Sequence, residues 1–177
     1  MEKSTLPEFW QRGPVEGVPD LLQPAAHALL QAREEIIVAM DMFRADLIWA
    51  KPAEVASVAF HLQHIPGVID RLFTYAEGNS LSPAQFDDLA REGRPDESVL
   101  LPDLIRRLDV SITAAVERLK QIQPGELGAA RYAGRKRIPT TVIGLLFHAA
   151  EHTMRHTGQL IVTARFLLAE HSKQKRS

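Results

Sequence analysis

The stretch from Pro139 to Glu170 constrains this chain more than any other part of it. It contains LLFHAAEHTMRHTGQLIVTARFLL, the longest and most apolar helical period in the sequence. Leu145, Ala149, Leu160 and Thr163 recur along the side that should face a core. A helix with such a stripe must be covered by other elements, and the rest of the chain offers three more of the same kind. Ala25, Leu29, Ala32, Ile36, Ala39 and Phe43 step by three and four residues and predict a helix to about residue 44. Pro52 opens a second helix, expected from about Ala53 to Glu77 and ended by Gly78-Asn79. Its interior holds Pro66-Gly67, which frees the carbonyl of Leu62 and should kink the helix beside His64, at a cost of about 3 kcal/mol or more. Ser82-Pro83 opens a short helical turn through Ala90, and REGRPDE (91–97) reads as a charged surface loop. A further helix, from about Ser98 to Ile122, carries Leu101, Leu104, Ile105, Leu108, Ile112, Ala115, Val116 and Leu119 as its stripe before Pro124-Gly125 stops it. No alternating strand pattern stands beside hairpin chemistry, and there is no internal repeat. The expectation is an all-α four-helix bundle over residues 21–171. An irregular arm (1–20), pinned by Phe9 and Trp10, precedes it, and a basic tail (172–177) follows.

Composition narrows the chemistry. Lys plus Arg number 21 against 22 Asp plus Glu, a formal net charge of −1, so no global field draws the chain to nucleic acid or to an anionic membrane. The longest stretch free of Asp, Glu, Lys and Arg, Val55 to Ile69, is shorter than a membrane span and is interrupted by His61, Gln63, His64 and Pro66. The N-terminal residues include Glu2, Lys3, Glu8 and Arg12 where an export signal would need an apolar run, so a soluble cytoplasmic protein is expected. The cysteine count is zero, which removes disulfides, thiolate metal sites and any thiol nucleophile supplied by the chain. G-x-G-x-x-G, G-x-x-x-x-G-K and G-x-S-x-G are all missing.

Histidine carries the chemistry instead. His148, His152 and His156 follow one another at four-residue steps, and this spacing predicts three imidazoles pointing inward together. Burying an imidazole without partners costs about 1–3 kcal/mol, which a bound divalent ion would offset. Two histidines one turn apart suit a single ion, as in the helical H-x-x-x-H of zinc proteases, but the Glu those enzymes place after the first His is replaced here by Ala149 or Thr153. A ligand from a second helix would be His61 or His64, with His64 favoured by its position at the Pro66-Gly67 kink and His61 left to bond a ligand or substrate from the rim. Arg71, two turns beyond His64 on nearly the same face, could hold a carboxylate near the metal or form a surface or interface salt bridge. The basic run Arg131, Arg135, Lys136 and Arg137 reads as a solvated loop, or as a lure for an anionic substrate.

The segments SVAFHLQHIPGVIDRL (57–72) and HAAEHTMRHTGQL (148–160) resemble the DinB/YfiT-like metalloenzyme superfamily. The resemblance covers most of the chain and implies an up-down-down-up four-helix bundle with a three-histidine site. It implies His64 as first ligand, seven residues after Ser57, and His152 and His156 as the pair preceding Gly158-Gln159. His148, His61, Arg71 and Gln159 are then candidates to hold the ligands in place or to contact a substrate. Two departures stand out: Phe60 where relatives often carry Trp, and Thr157 where they often carry Arg.

Characterised relatives include low-molecular-weight thiol S-transferases and a mycothiol-dependent isomerase. The resemblance therefore implies a divalent ion, zinc or nickel first, that activates an external thiol toward a small electrophile. The alternative is a non-catalytic, stress-associated bundle in which the metal is structural. A fourth position closed by His61 or His148 would favour the latter, and one opening to a cleft the former. A homodimer is expected, because the first and third long helices keep apolar residues beyond those that fill one core.

Overall fold

The computed structural model describes residues 6–175. The first five residues of the expected arm and the last two of the tail lie outside the described residues. Five α-helices and one small hairpin follow in order: α1 (Gln23–Met40), α2 (Val58–Ala76), α3 (Pro83–Arg91), α4 (Leu101–Gln121), β1 (Ala130–Ala133), β2 (Ile138–Thr141) and α5 (Val142–Gln174). The four long helices form the bundle. Both α1 and α2 pack against α4 and α5, so the order around the core is α1, α4, α2, α5.

Side-chain pairings fix the helix directions. His61 and His64 of α2 meet His156 and His152 of α5 in reverse order, so these two helices are antiparallel. Glu77, just past the end of α2, pairs with Arg118 near the end of α4 at 2.7 Å, so those two run together. Gly17, ahead of α1, lies against Lys120, and Arg33 pairs with Asp109, which makes α1 and α4 antiparallel. The result is the up-down-down-up arrangement. Its core is one cluster that includes Leu29, Ile36, Leu62, Ile112, Leu146 and Leu160, all fully buried.

Local chemistry sets the helix boundaries. Ser57 caps α2 by accepting the Phe60 N–H at 3.2 Å, so α2 begins at Val58 rather than at Ala53. Pro52–Glu54 instead forms a separate 3₁₀ turn in which Ala53 and Glu54 take positive φ values of 48° and 60°. Helix α2 stays helical through Pro66. Ser82 and Gln85 form a capping box at the start of α3, which has no buried residue and lies against α2 through Gln85, bonded to Asp70 and Thr74.

Further expectations from sequence are corrected here. A hairpin exists: β1 and β2 pair antiparallel, Ala130 to Thr141 and Ala133 to Ile138, around a turn containing Gly134 at φ 66°. Four residues per strand are too few for an alternation signal, and Pro139 inside β2 disguises it. The last helix accordingly starts at Val142, capped by Thr141, and continues to Gln174, so that residues 172–174 of the expected tail are helical. The arm is not pinned by Trp10, which is 63% exposed. Arg12 on Glu34, the Phe9 N–H on Gln31, and Gln23 on Val15 and Val18 hold it.

Candidate metal centre

Helix α2 presents His61 and His64, one turn apart, to the stretch of α5 that presents His152 and His156. The Nε2 atoms of His64 and His152 are 3.1 Å apart, and those of His152 and His156 are 3.0 Å apart. Two imidazole nitrogens on one tetrahedral zinc, each at about 2.0–2.1 Å, would stand about 3.4 Å apart, so the observed spacing is within a few tenths of an ångström of a ligand set. One ligand atom from each of His64, His152 and His156 falls within 4.8 Å of the others, and the three could hold a metal ion.

The hydrogen-bonding pattern also fits an ion. His64 Nδ1 lies 2.6 Å from Glu92 Oε2, and an ionised carboxylate only accepts, so Nδ1 carries the proton. With that proton on Nδ1, the lone pair of the neutral ring form lies on Nε2, toward His152. His152 has no partner for its buried Nδ1, and whichever tautomer it takes, one of its nitrogens is left unsatisfied by protein. Burial, then the neighbouring His64, push His156 down to about 4, and burial foremost lowers His152 as well. Imidazoles neutral at pH 7 offer the lone pairs a divalent cation requires.

The surrounding shell is built mostly from α2 and the segment after α3. Glu92 is 7% exposed at its side chain and joins His64 to Arg71, whose Nη1 is 2.6 Å from Glu92 Oε1. Arg71 thus does hold a carboxylate beside the histidines, and that carboxylate is the chain's own. Gly93, at φ 74°, donates its N–H to Gln63 Oε1 at 2.8 Å and packs so closely on Phe60 that a Cβ there would lie 2.8 Å from the ring. Phe60, in turn, stacks on His64 with ring centroids 4.9 Å apart and planes 15° from parallel. These contacts clamp one face and one nitrogen of His64, leaving Nε2 for the centre.

The remaining candidates sort themselves by position. His61 is buried, not on the rim, and its Nδ1 meets His156 Nδ1 at 2.9 Å; burial, then His64, push it down to about 4. His148 does not point inward. It is exposed and bonds Glu151 at 2.8 Å, because four-residue steps drift around the helix and carry the first of the three imidazoles off the core face. Glu151 also binds Arg155, and with His148 and His152 it makes a second, outer group of potential ligands. Gln159 is exposed. Thr157 is fully buried and donates back to the Thr153 carbonyl at 2.8 Å, away from any ligand space.

Glu92 is the residue that sequence reasoning missed. In the sequence it reads as surface loop, because Arg91, Arg94, Asp96 and Glu97 crowd around it. The available signal was on α2: Arg71 on a helix face that also carries buried histidine needs a carboxylate, and Gly67, four residues before it, leaves room for one.

A cleft of about 760 Å³ opens beside the centre, lined by His64 and His152 together with Val68, Leu72, Phe86 and Arg135. Helix α5 carries two of the three histidines into a bundle whose third comes from α2, the arrangement expected of a helical metalloprotein. The profile of the DinB superfamily matches residues 28–160, and the chain belongs to that superfamily. No curated protein matches the sequence. Among solved structures, a conserved protein from Enterococcus faecalis is similar with a TM-score of 0.67 at 17% identity, over 84% of this chain and 97% of that one, a likeness of fold. Among the described residues no helix is long and apolar enough to cross a membrane.

Proposed function

We propose that this protein binds one divalent ion through His64, His152 and His156 and uses it to promote transfer of a low-molecular-weight thiol to a small electrophile. One observation carries the reading: two of the three converging histidines, His64 and His152, line an open cleft, while His61 meets His156 at Nδ1 and His148, at the side of the same cleft, bonds Glu151. The Nδ1 atoms of both extra histidines have partners within the protein, and a coordination position left open to a cleft is what separates a catalytic from a structural site. A bound divalent ion supplies a Lewis acid that lowers the pKa of a water or thiol beside it.

The protein's own groups do the rest. Glu92 keeps the proton of His64 on Nδ1, and His61 meets the Nδ1 of His156, so both rings keep Nε2 toward the centre. Phe60 stacks on His64 and holds its plane. The sequence contains no cysteine, so the thiol must be external.

The test is metal analysis joined to a conjugation assay. Purified protein should carry about one divalent ion per chain, and metal-loaded protein should accelerate conjugation of bacillithiol, mycothiol or a simpler thiol to a halogenated bimane. His152→Ala should lose both. Metal retained without any acceleration across the thiol panel would replace the transferase reading with a structural metal.

A further inference from the structure

The cleft beside the histidines has a wall and a mouth that the proposed chemistry does not use. Along α2, His64, Val68, Leu72 and Tyr75 follow one another on the face toward the cleft. From His64 to Tyr75 this lane is about 16 Å long at 1.5 Å per residue. Across from it stand Phe86 and Leu89 of α3, 40% and 42% exposed although α3 is amphipathic. They bury nothing in the core and instead wall the cleft. The far end is closed by the β1–β2 turn, tied to the end of α2 by Arg131 Nε on the Ala76 carbonyl at 2.7 Å.

Charge in the cleft has one sign. Arg71 and Arg135 line it, and no Asp or Glu does among the described residues. Arg71 is already matched by Glu92. No salt bridge joins Arg135 to a carboxylate among the described residues, and its guanidinium lies 5.6 Å from the centre of the Phe86 ring. An apolar lane that leads from the histidines to an unneutralised guanidinium is complementary to a molecule with an apolar body and a terminal anion.

We propose that the cleft takes an elongated, mainly apolar organic anion, with its anionic end on Arg135 and its body along Val68, Leu72, Tyr75 and Phe86. This rests on the proposed function in that the other end of such a molecule would then lie at the histidine centre. Arg135 becomes the specificity residue, and the basic turn acquires a role beyond solvation.

Titration calorimetry with octanoate and 1-octanol, on metal-free and on zinc-loaded protein, tests it. Octanoate should bind about tenfold more tightly than octanol in both forms, as expected for one charge-assisted hydrogen bond. Arg135→Gln should bring octanoate down to the level of octanol and leave octanol unchanged, and Leu72→Asn should weaken both. The idea is overturned if octanoate and octanol bind alike, if Arg135→Gln leaves octanoate unchanged, or if octanoate binds only zinc-loaded protein, which would put the carboxylate on the metal. Because the metal-free arm involves no thiol chemistry, failure of the transferase reading would leave these affinities untouched.

Discussion

Gly67 and Glu92 occupy one place in the structure: the Glu92 carboxylate rests where a Cβ on Gly67 would project, with Arg71 Nη1 only 2.7 Å from the same point. Glycine in a helix interior normally costs about 1 kcal/mol against alanine, and here that cost admits the carboxylate that orients His64. Gly67→Ala should therefore destabilise the protein by about 1–3 kcal/mol, against its helix propensity. Gly158 on α5, whose Cβ would meet nothing within 4 Å, supplies the control. Gly158→Ala should stabilise by about 0.5–1 kcal/mol. Urea unfolding of both variants checks the pair, and a stabilised Gly67→Ala would show that the carboxylate does not sit there.

Glu92 meets the histidine group at the Nδ1 of His64, on the side away from the converging Nε2 atoms. Glu92→Gln keeps the shape but removes the acceptor charge, and metal affinity should fall about 10–100-fold, as it does when a partner of a ligating histidine is lost. Competition with a chromophoric chelator reads this directly. His148→Ala, at an exposed residue, should leave stoichiometry at one ion per chain. Equal effects of the two substitutions would undo the distinction drawn between them.

Acid should weaken the metal-free protein in a definite window. His61 and His156 lie near 4 in the folded chain against the ordinary 6.5, burial being the first cause in both. Between those values the unfolded chain binds more protons than the folded one, so stability is held above pH 6.5 and declines as the pH falls toward 4. Denaturation midpoints at pH 7, 5.5 and 4.5 should show the decline, and His61→Gln should remove part of it. A His61→Gln profile parallel to that of the parent protein would refute the assignment.

Self-association is a further expectation. Ile37 and Val38 of α1 are 38% and 37% exposed, and Val110 of α4 is 61% exposed, apolar surface left after one core is filled. Light scattering should give the mass of a homodimer, and a monomer mass across a wide concentration range would exclude it.

Periodicity alone determined the bundle. A 3.6-residue repeat forces the apolar positions of α1, α2, α4 and α5 onto one side each, and four such stripes have few ways to cover one another. The concentration of histidine on α2 and α5 was equally legible, because spacing along a helix is a property of the chain. Which imidazoles converge was not. His148 and His156 are both four residues from His152, yet one faces solvent and the other the centre, a difference set by how α5 is rotated against α2. Glu92 comes to the site from a segment 28 residues beyond His64, brought there by Gly93 on Gln63 and by the space at Gly67. The hairpin that carries Arg135 to the cleft depends on its tie to the end of α2. Local sequence sets what each element can bury, but contacts between residues distant in the chain exist only once packing has fixed rotation and register.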